Sequence, residues 1–301
     1  MSDNNQDKAA LGKVGMMRQT QPEYYVMRLK VVAGDLTSRQ LARISGVAEQ
    51  YGRGFVHLST RQGVEIHYVH QDDLERARLA LAEEGIEMGA CGPRVRAIVA
   101  CPGDETCRWG VIDTKAMARE LDARYFKVET PSKFKLAVTG CSHNCTKANE
   151  NDIGIRGAIE PKWAHETCTD CGLCVSFCPV KAIGRQESDD SDGFRYEANE
   201  EVCINCSICT SLCPTNAWVA GRKGYTVFIG GTMGKVPRFA SVLKRIVESE
   251  EEVYDLVERS FNYYRANALK KERFGHMIDR IGLDNIKEEI LEATVQHNRQ
   301  S

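Results

Sequence analysis

The chain of 301 residues has no surplus of charge of either sign: 40 Lys and Arg stand against 42 Asp and Glu, a formal net charge of -2. No bulk field therefore recommends nucleic acid or an anionic membrane as partner, and any positive site must be local. Long apolar runs are also missing, and no stretch approaches the length that spans a bilayer. The opening MSDNNQDKAALGKVGMM is polar and lacks the apolar core of a secretory signal. Proline is scarce at 8 and tryptophan at 3. With 42% hydrophobic and 27% charged residues, the composition excludes disorder and collagen-like repeats, and leaves a soluble globular protein with room for two or three packed units.

Against these shortages stand 13 cysteines. Disulfide-dense chains are small, extracellular and poor in core, none of which applies, so reduced thiols in the cytoplasm are expected, where grouped thiols usually mean metal. Cys168, Cys171, Cys174 and Cys178, followed by Pro179, have the gaps and trailing proline of a bacterial ferredoxin run, and Cys203, Cys206, Cys209 and Cys213, followed by Pro214, repeat it. Zinc sites use two short knuckles set far apart and fit these packed runs poorly. Tandem runs of this kind exchange their last ligand. One 4Fe-4S cluster is thus expected on Cys168, Cys171, Cys174 and Cys213, the other on Cys203, Cys206, Cys209 and Cys178.

Five cysteines remain. Cys101 and Cys107 bracket CPGDETC, Cys141 and Cys145 bracket CSHNC, and each loop follows a short apolar run. Two such loops could close a four-thiolate site; buried apolar cysteines or paired zinc knuckles are the alternatives. Cys91, alone among small residues, reads as a packed hydrophobe, and His143 as a partly exposed loop histidine. Lys133 and Lys135 are two apart in PSKFK on the strand leading to Cys141, and Arg94 and Arg96 stand likewise before Cys101. Two cationic strand faces therefore converge on the two cysteine loops. Arg61 occupies a turn between two further strands. Without metal loops nearby, solvated surface charge would be the default reading of all five.

Taken together, Cys101 and Cys107 with Cys141 and Cys145, preceded by Arg96, Lys133 and Lys135, resemble the signature of the siroheme-dependent sulfite and nitrite reductases. STRQ with Arg61, NDIGIRG at residues 151 to 157 and FIGG ending at Gly231 resemble further family segments in the same order. The resemblance covers roughly residues 22 to 282 and is greatest to the small anaerobic and dissimilatory-type sulfite reductases that carry an inserted ferredoxin pair. It implies that Cys101, Cys107, Cys141 and Cys145 hold a third 4Fe-4S cluster, with Cys145 shared as axial ligand of the siroheme iron. It also implies that Arg61, Arg96, Lys133 and Lys135 surround the iron-bound anion, the arginines binding and the lysines delivering protons. The eight siroheme carboxylates need many donors, for which Arg94, Asn144, Asn149, Asn151, Gly230, Gly231 and Lys235 are candidates. Ser132 stands where relatives often carry Arg, a departure expected to loosen the anion slightly.

The expected fold is α+β. Residues 1–21 form an N-terminal arm, and residues 22–88 a ferredoxin-like half domain of β-α-β-β-α order, whose first helix buries Leu41, Ile44 and Val47. Residues 89–160 and 222–301 form the siroheme and 4Fe-4S domain, in which Val253, Leu256, Val257 and Phe261 give one helix a core face. Residues 161–221 form an inserted bacterial-type ferredoxin domain with two clusters, its acidic SDDSDG near residue 190 a solvated spacer. Larger family members carry two copies of the half-domain and siroheme-domain pair and this chain has one, so a homodimer or a dimer of dimers is expected. No Gly-x-Gly-x-x-Gly follows a strand, so electrons must come from an external donor, a ferredoxin or an iron-sulfur or flavin subunit. The expected reaction is reduction of sulfite to sulfide. Nitrite reduction to ammonium and a non-catalytic electron-transfer subunit are the rivals.

Overall fold

The computed structural model describes residues 11–188 and 193–297; the SDDSDG stretch falls largely outside them. The first unit comprises β1 (Met16–Arg18), β2 (Tyr24–Arg28), α1 (Ser38–Tyr51), β3 (Val56–Leu58), β4 (Val64–His70) and α2 (Leu74–Ala82). Its antiparallel sheet has the order β1-β2-β4-β3, so residues expected as an arm contribute an edge strand. Along β2, Tyr25 and Met27 are buried and their neighbours half-buried, the alternation of a sheet with one covered face. Thr37 and Gln40 close a capping box at the start of α1. Ile44, Val47 and Ala48 form the buried stripe of α1, and Leu41 is 54% exposed, contrary to the sequence expectation. Steps of three drift around a helix of 3.6 residues per turn, so six residues carry Leu41 off the face centred on Val47 and Ala48.

Residues 29–33 leave β2 and cross to the second unit. Lys30 N donates to Glu87 O at 2.8 Å and Ala33 N to Ile98 O at 2.9 Å. That unit begins with β5 (Val99–Ala100), α3 (Thr114–Tyr125), β6 (Leu136–Thr139) and β7 (Ile153–Trp163). All four residues of β6 are buried, as in a strand covered on both faces. β7 runs outward into the cysteine-rich segment, which contains α4 (Leu173–Phe177), a hairpin of β8 (Ile183–Glu187) and β9 (Phe194–Ala198), and α5 (Ile208–Leu212). β10 (Trp218–Ile229) returns antiparallel to β7, and β11 (Ser241–Val247), α6 (Glu250–Asn267), α7 (Phe274–Ile281) and α8 (Leu283–His297) follow. The sheet order is β11-β10-β7-β6-β5, parallel from β5 to β7 and antiparallel from β7 to β11. As expected, α6 buries Val253, Leu256, Val257 and Phe261 against this sheet's core.

The two cysteine runs share one backbone plan. Asp170 and Asn205 take φ of 53° and 54°, Gly172 and Ser207 take 69° and 62°, and Lys181 and Asn216 take 54° and 57°. Each run ends with its last thiol accepting a backbone N–H: Cys178 from Ala182 at 3.2 Å and Cys213 from Ala217 at 3.1 Å. The left-handed residues thus recur at matched positions of the two runs, the local mark of a repeated loop.

Candidate active site

The turn between β3 and β4 docks the first unit on the second. Ser59 and Gly63 close it, with Gly63 N donating to Ser59 Oγ at 3.1 Å. Gln62 at its tip pairs with the backbone of Ala100, donating to its O at 2.8 Å and accepting from its N at 3.1 Å. The turn is thus fixed beside Cys101, and Arg61 is driven into the seam, where it donates to Asn151 Oδ1 and to Leu136 O at 3.2 Å. Arg96 donates to Ala90 O and to Gly92 O at 3.1 Å. Phe134 is wholly buried, so Lys133 and Lys135 on either side of it turn the other way. Arg61, Arg96, Lys133 and Lys135 line one cavity of about 280 Å³, and no lining residue is acidic.

Sequence reasoning missed a fifth cation at this cavity, Arg28 on β2, because an arginine in a half-exposed strand carries no local signal of what it faces. Arg28 is held by Glu65 at 2.8 Å and donates to Cys91 Sγ at 3.4 Å. Cys91 is buried as expected, but has this polar contact that a plain packing residue would lack.

Crowding shows in the ionisation of the lysines. Burial, followed by Arg61, Arg273 and Lys133, pushes Lys135 down to about 8. Burial, Arg273 and Arg96 lower Lys133. Burial pushes Arg61 down to about 10 and also lowers Arg96. Such a cavity favours an anion, and Lys135 can hold or release a proton near neutral pH. Behind it, Asp152 is fully buried between two donors: Arg273, whose Nη2 lies 2.7 Å away, and the backbone N of Lys135 at 2.8 Å. This ion pair, also invisible in the sequence, fixes Lys135 in place.

Of the carboxylate-binding candidates, Asn144, Asn149, Asn151, Gly230 and Gly231 meet at one turn. Asn144 Nδ2 donates to Asn149 Oδ1 at 2.7 Å, and Asn151 Nδ2 to Lys147 O at 2.8 Å. A Cβ on Gly231 would lie 2.5 Å from Asn151 O, so glycine is required by backbone approach. The amides of Asn144 and Asn151 thus bond within the turn, while Asn151 Oδ1 takes Arg61 from the other unit. Arg94 turns away to Glu129 at 2.9 Å and to Lys13 O at 3.1 Å, and does not line the cavity. Lys235 is exposed at the tip of the 232–238 hairpin.

The cysteine loops converge as pairs. Cys141 lies within electrostatic reach of Cys101, Cys145 and Cys107, and its thiol is pushed up by burial and by these neighbours. Cys101 Sγ accepts from Gly140 N at 3.0 Å, and His143, exposed as expected, touches Cys141 Sγ at 3.3 Å. Cys203 faces Cys206 and Cys178, and Cys209 faces Cys206 and Cys203. Among the described residues no group of three or more His, Cys, Asp or Glu is placed to hold a single metal ion. A four-iron cluster interposes its own iron and sulfide between the thiolates and needs them farther apart. Arg156 on β7 supplies a test of fit. It is 8% exposed, yet its Nε finds no acceptor, and it lies within electrostatic reach of Arg245 and of the thiols of Cys206, Cys141 and Cys203. A buried donor left open beside thiols suits a cluster whose sulfur accepts hydrogen bonds.

An antiparallel half domain docked on a mixed sheet whose loops carry paired thiols defines an iron-sulfur oxidoreductase domain. The chain belongs to the nitrite and sulfite reductase family: the family's 4Fe-4S domain matches residues 91–298 and its ferredoxin-like half domain residues 17–84. This bears out the resemblance and the half domain read from sequence. A coenzyme F420-dependent sulfite reductase of Methanocaldococcus jannaschii is 32% identical over 280 residues, covering 92% of this chain, which spans 44% of that relative. One subunit of the anaerobic sulfite reductase of Salmonella typhimurium is 29% identical over 287 residues, covering 88% of this chain and 83% of its own. The crystal structure of dissimilatory sulfite reductase I shares the fold with a TM-score of 0.70 at 19% identity, over 89% of this chain and 69% of that one. No helix among the described residues is long and apolar enough to cross a membrane.

Proposed function

We propose that the chain is a siroheme-dependent sulfite reductase that converts sulfite to sulfide with six electrons from an external donor. The observation that carries this reading is the gathering of Arg61, Arg96, Lys133 and Lys135 in one cavity without a carboxylate. Sulfite is small and anionic, so guanidinium and ammonium groups bind it and stabilise charge as S–O bonds break. Each departing oxygen leaves as water, and the lysines supply protons: Lys135, pushed down to about 8, is poised for this, and Arg61 and Arg96 orient the anion. Cys101, Cys107, Cys141 and Cys145 would hold a 4Fe-4S cluster, with Cys145 shared with siroheme. Siroheme, when bound, would supply the iron at which the anion is reduced. The cysteine-rich segment from 161 to 221 would act as an inserted two-cluster ferredoxin domain receiving electrons from a ferredoxin or an iron-sulfur or flavin subunit, in a homodimer or dimer of dimers.

The test is anaerobic reduction of sulfite and of nitrite by reduced viologen. A higher kcat/KM for sulfite is expected. A higher value for nitrite replaces the substrate, and turnover of neither makes the chain an electron-transfer subunit.

A further inference from the structure

The inserted segment does not hang freely from the sheet. Arg156 Nη2 donates to Ile204 O at 2.9 Å, Arg245 Nη1 to Cys203 O at 2.9 Å, and Ile159 N to Asn205 O at 3.1 Å. All three bonds end in the loop between Cys203 and Cys206. On its other side, β7 pairs in parallel with β6 so that Arg156 lies opposite Thr139, two residues before Cys141. A Cβ on the next residue, Gly157, would stand 2.3 Å from Gly140 O, so the two backbones touch here. Arg156 therefore sits between two cysteine groups, within electrostatic reach of Cys141 on one side and of Cys203 and Cys206 on the other. Its guanidinium is buried, stacks 5.0 Å over the Phe228 ring and keeps Nε open.

We propose that Arg156 is a positioning residue that holds the cluster of Cys203, Cys206, Cys209 and Cys178 against the turn carrying Cys141 and raises that cluster's reduction potential. This makes it, and not the cluster of Cys168, Cys171, Cys174 and Cys213, the inserted cluster that faces the siroheme domain. The inference rests on the cluster ligation proposed above. Reduction adds one electron and one negative charge to the cluster with no atom leaving, so a fixed buried cation favours the reduced form. A hydrogen bond from Nε to cluster sulfur acts in the same direction.

Two measurements on the full chain test this. In EPR-monitored redox titration, Arg156→Gln should lower the reduced-to-oxidised ratio of one cluster about tenfold at fixed potential, about 59 mV for one electron. Arg156→Lys should restore most of the shift because it keeps the charge. Unchanged potentials in Arg156→Gln at full iron content overturn the proposal. Should that variant not load iron, the native protein decides: with ¹⁵N-arginine, the reduced cluster should show a ¹⁵N hyperfine coupling that Arg156→Lys abolishes, and its absence overturns the proposal. The siroheme absorption is read on the same samples, so failure of the functional reading appears there and not in the cluster potentials.

Discussion

Replacing Arg273 by Leu removes one half of the ion pair behind the cavity. Asp152 is 0% exposed and Arg273 6% exposed, and two hydrogen bonds join them, Nε to Oδ1 at 3.1 Å and Nη2 to Oδ2 at 2.7 Å. The remaining partner of that carboxyl is the backbone N of Lys135. Deleting one member of a buried pair strands the other, which typically costs about 3–5 kcal/mol. At about 2 °C per kcal/mol, the lower end of the range for large domains, Tm should fall by about 6–10 °C. The pH profile should respond as well. Arg273 is among the cations that hold Lys135 down at about 8, and its removal leaves Asp152 uncompensated, so both effects raise the lysine toward its ordinary value. Lys135 donates protons only in its charged form, so activity falls as pH rises through its pKa, and the alkaline limb should move from about 8 to higher pH in Arg273→Leu. Circular dichroism melts under anaerobic conditions and a kcat/KM profile between pH 6 and 10 (about two units either side of 8, where protonation is nearly complete or nearly lost) measure both. A fall in Tm below about 2 °C with an unmoved limb refutes the reasoning.

Lys135→Met should lower sulfite turnover by about 10²–10⁴-fold and remove the alkaline limb while the visible spectrum stays unchanged; loss of siroheme instead would show that the side chain holds the macrocycle. Ile44→Ala should cost about 2–5 kcal/mol in chemical denaturation, and Leu41→Ala less than about 0.5, because only Ile44 is buried; equal losses would contradict the face assigned to α1. Protein purified without oxygen should contain about thirteen irons per chain, three four-iron clusters plus one, and roughly eight irons without a macrocycle would remove the siroheme reading.

What could be read from the sequence follows from how far along the chain each interaction reaches. Spacing within a few residues encodes the cysteine runs and the lysine pair, and the hydrophobic period of two places the strands of the half domain. The same locality explains the errors. Leu41 satisfied a short apolar spacing but lay off the stripe set by Ile44 and Val47, which only the packed sheet defines. The change in composition at residue 161 marks where cysteine chemistry begins. β7 and β10, however, continue as strands through 161 and 222, with Ala220 opposite Pro161 and Trp218 opposite Trp163 and a register shift between Ala220 and Lys223. The groups that tune the site are longer in reach still. Arg273 meets Asp152 across 121 residues, Arg61 meets Asn151 across 90, and Arg156 meets Ile204 across 48. Arg61 and Arg156 lie in the STRQ and NDIGIRG segments and Arg273 in none, but no local pattern says what each guanidinium meets, and burial is what gives it force: a guanidinium in water is screened, and one held in the seam between two units is not. The chain's neutral total thus conceals its electrostatics. The anion cavity is positive because folding gathers Arg28, Arg61, Arg96, Lys133 and Lys135 on one lining from which Glu65 and the Arg273–Asp152 pair are left out, and the reach of Arg28 and Arg61 into it is fixed only once the two sheets are in contact.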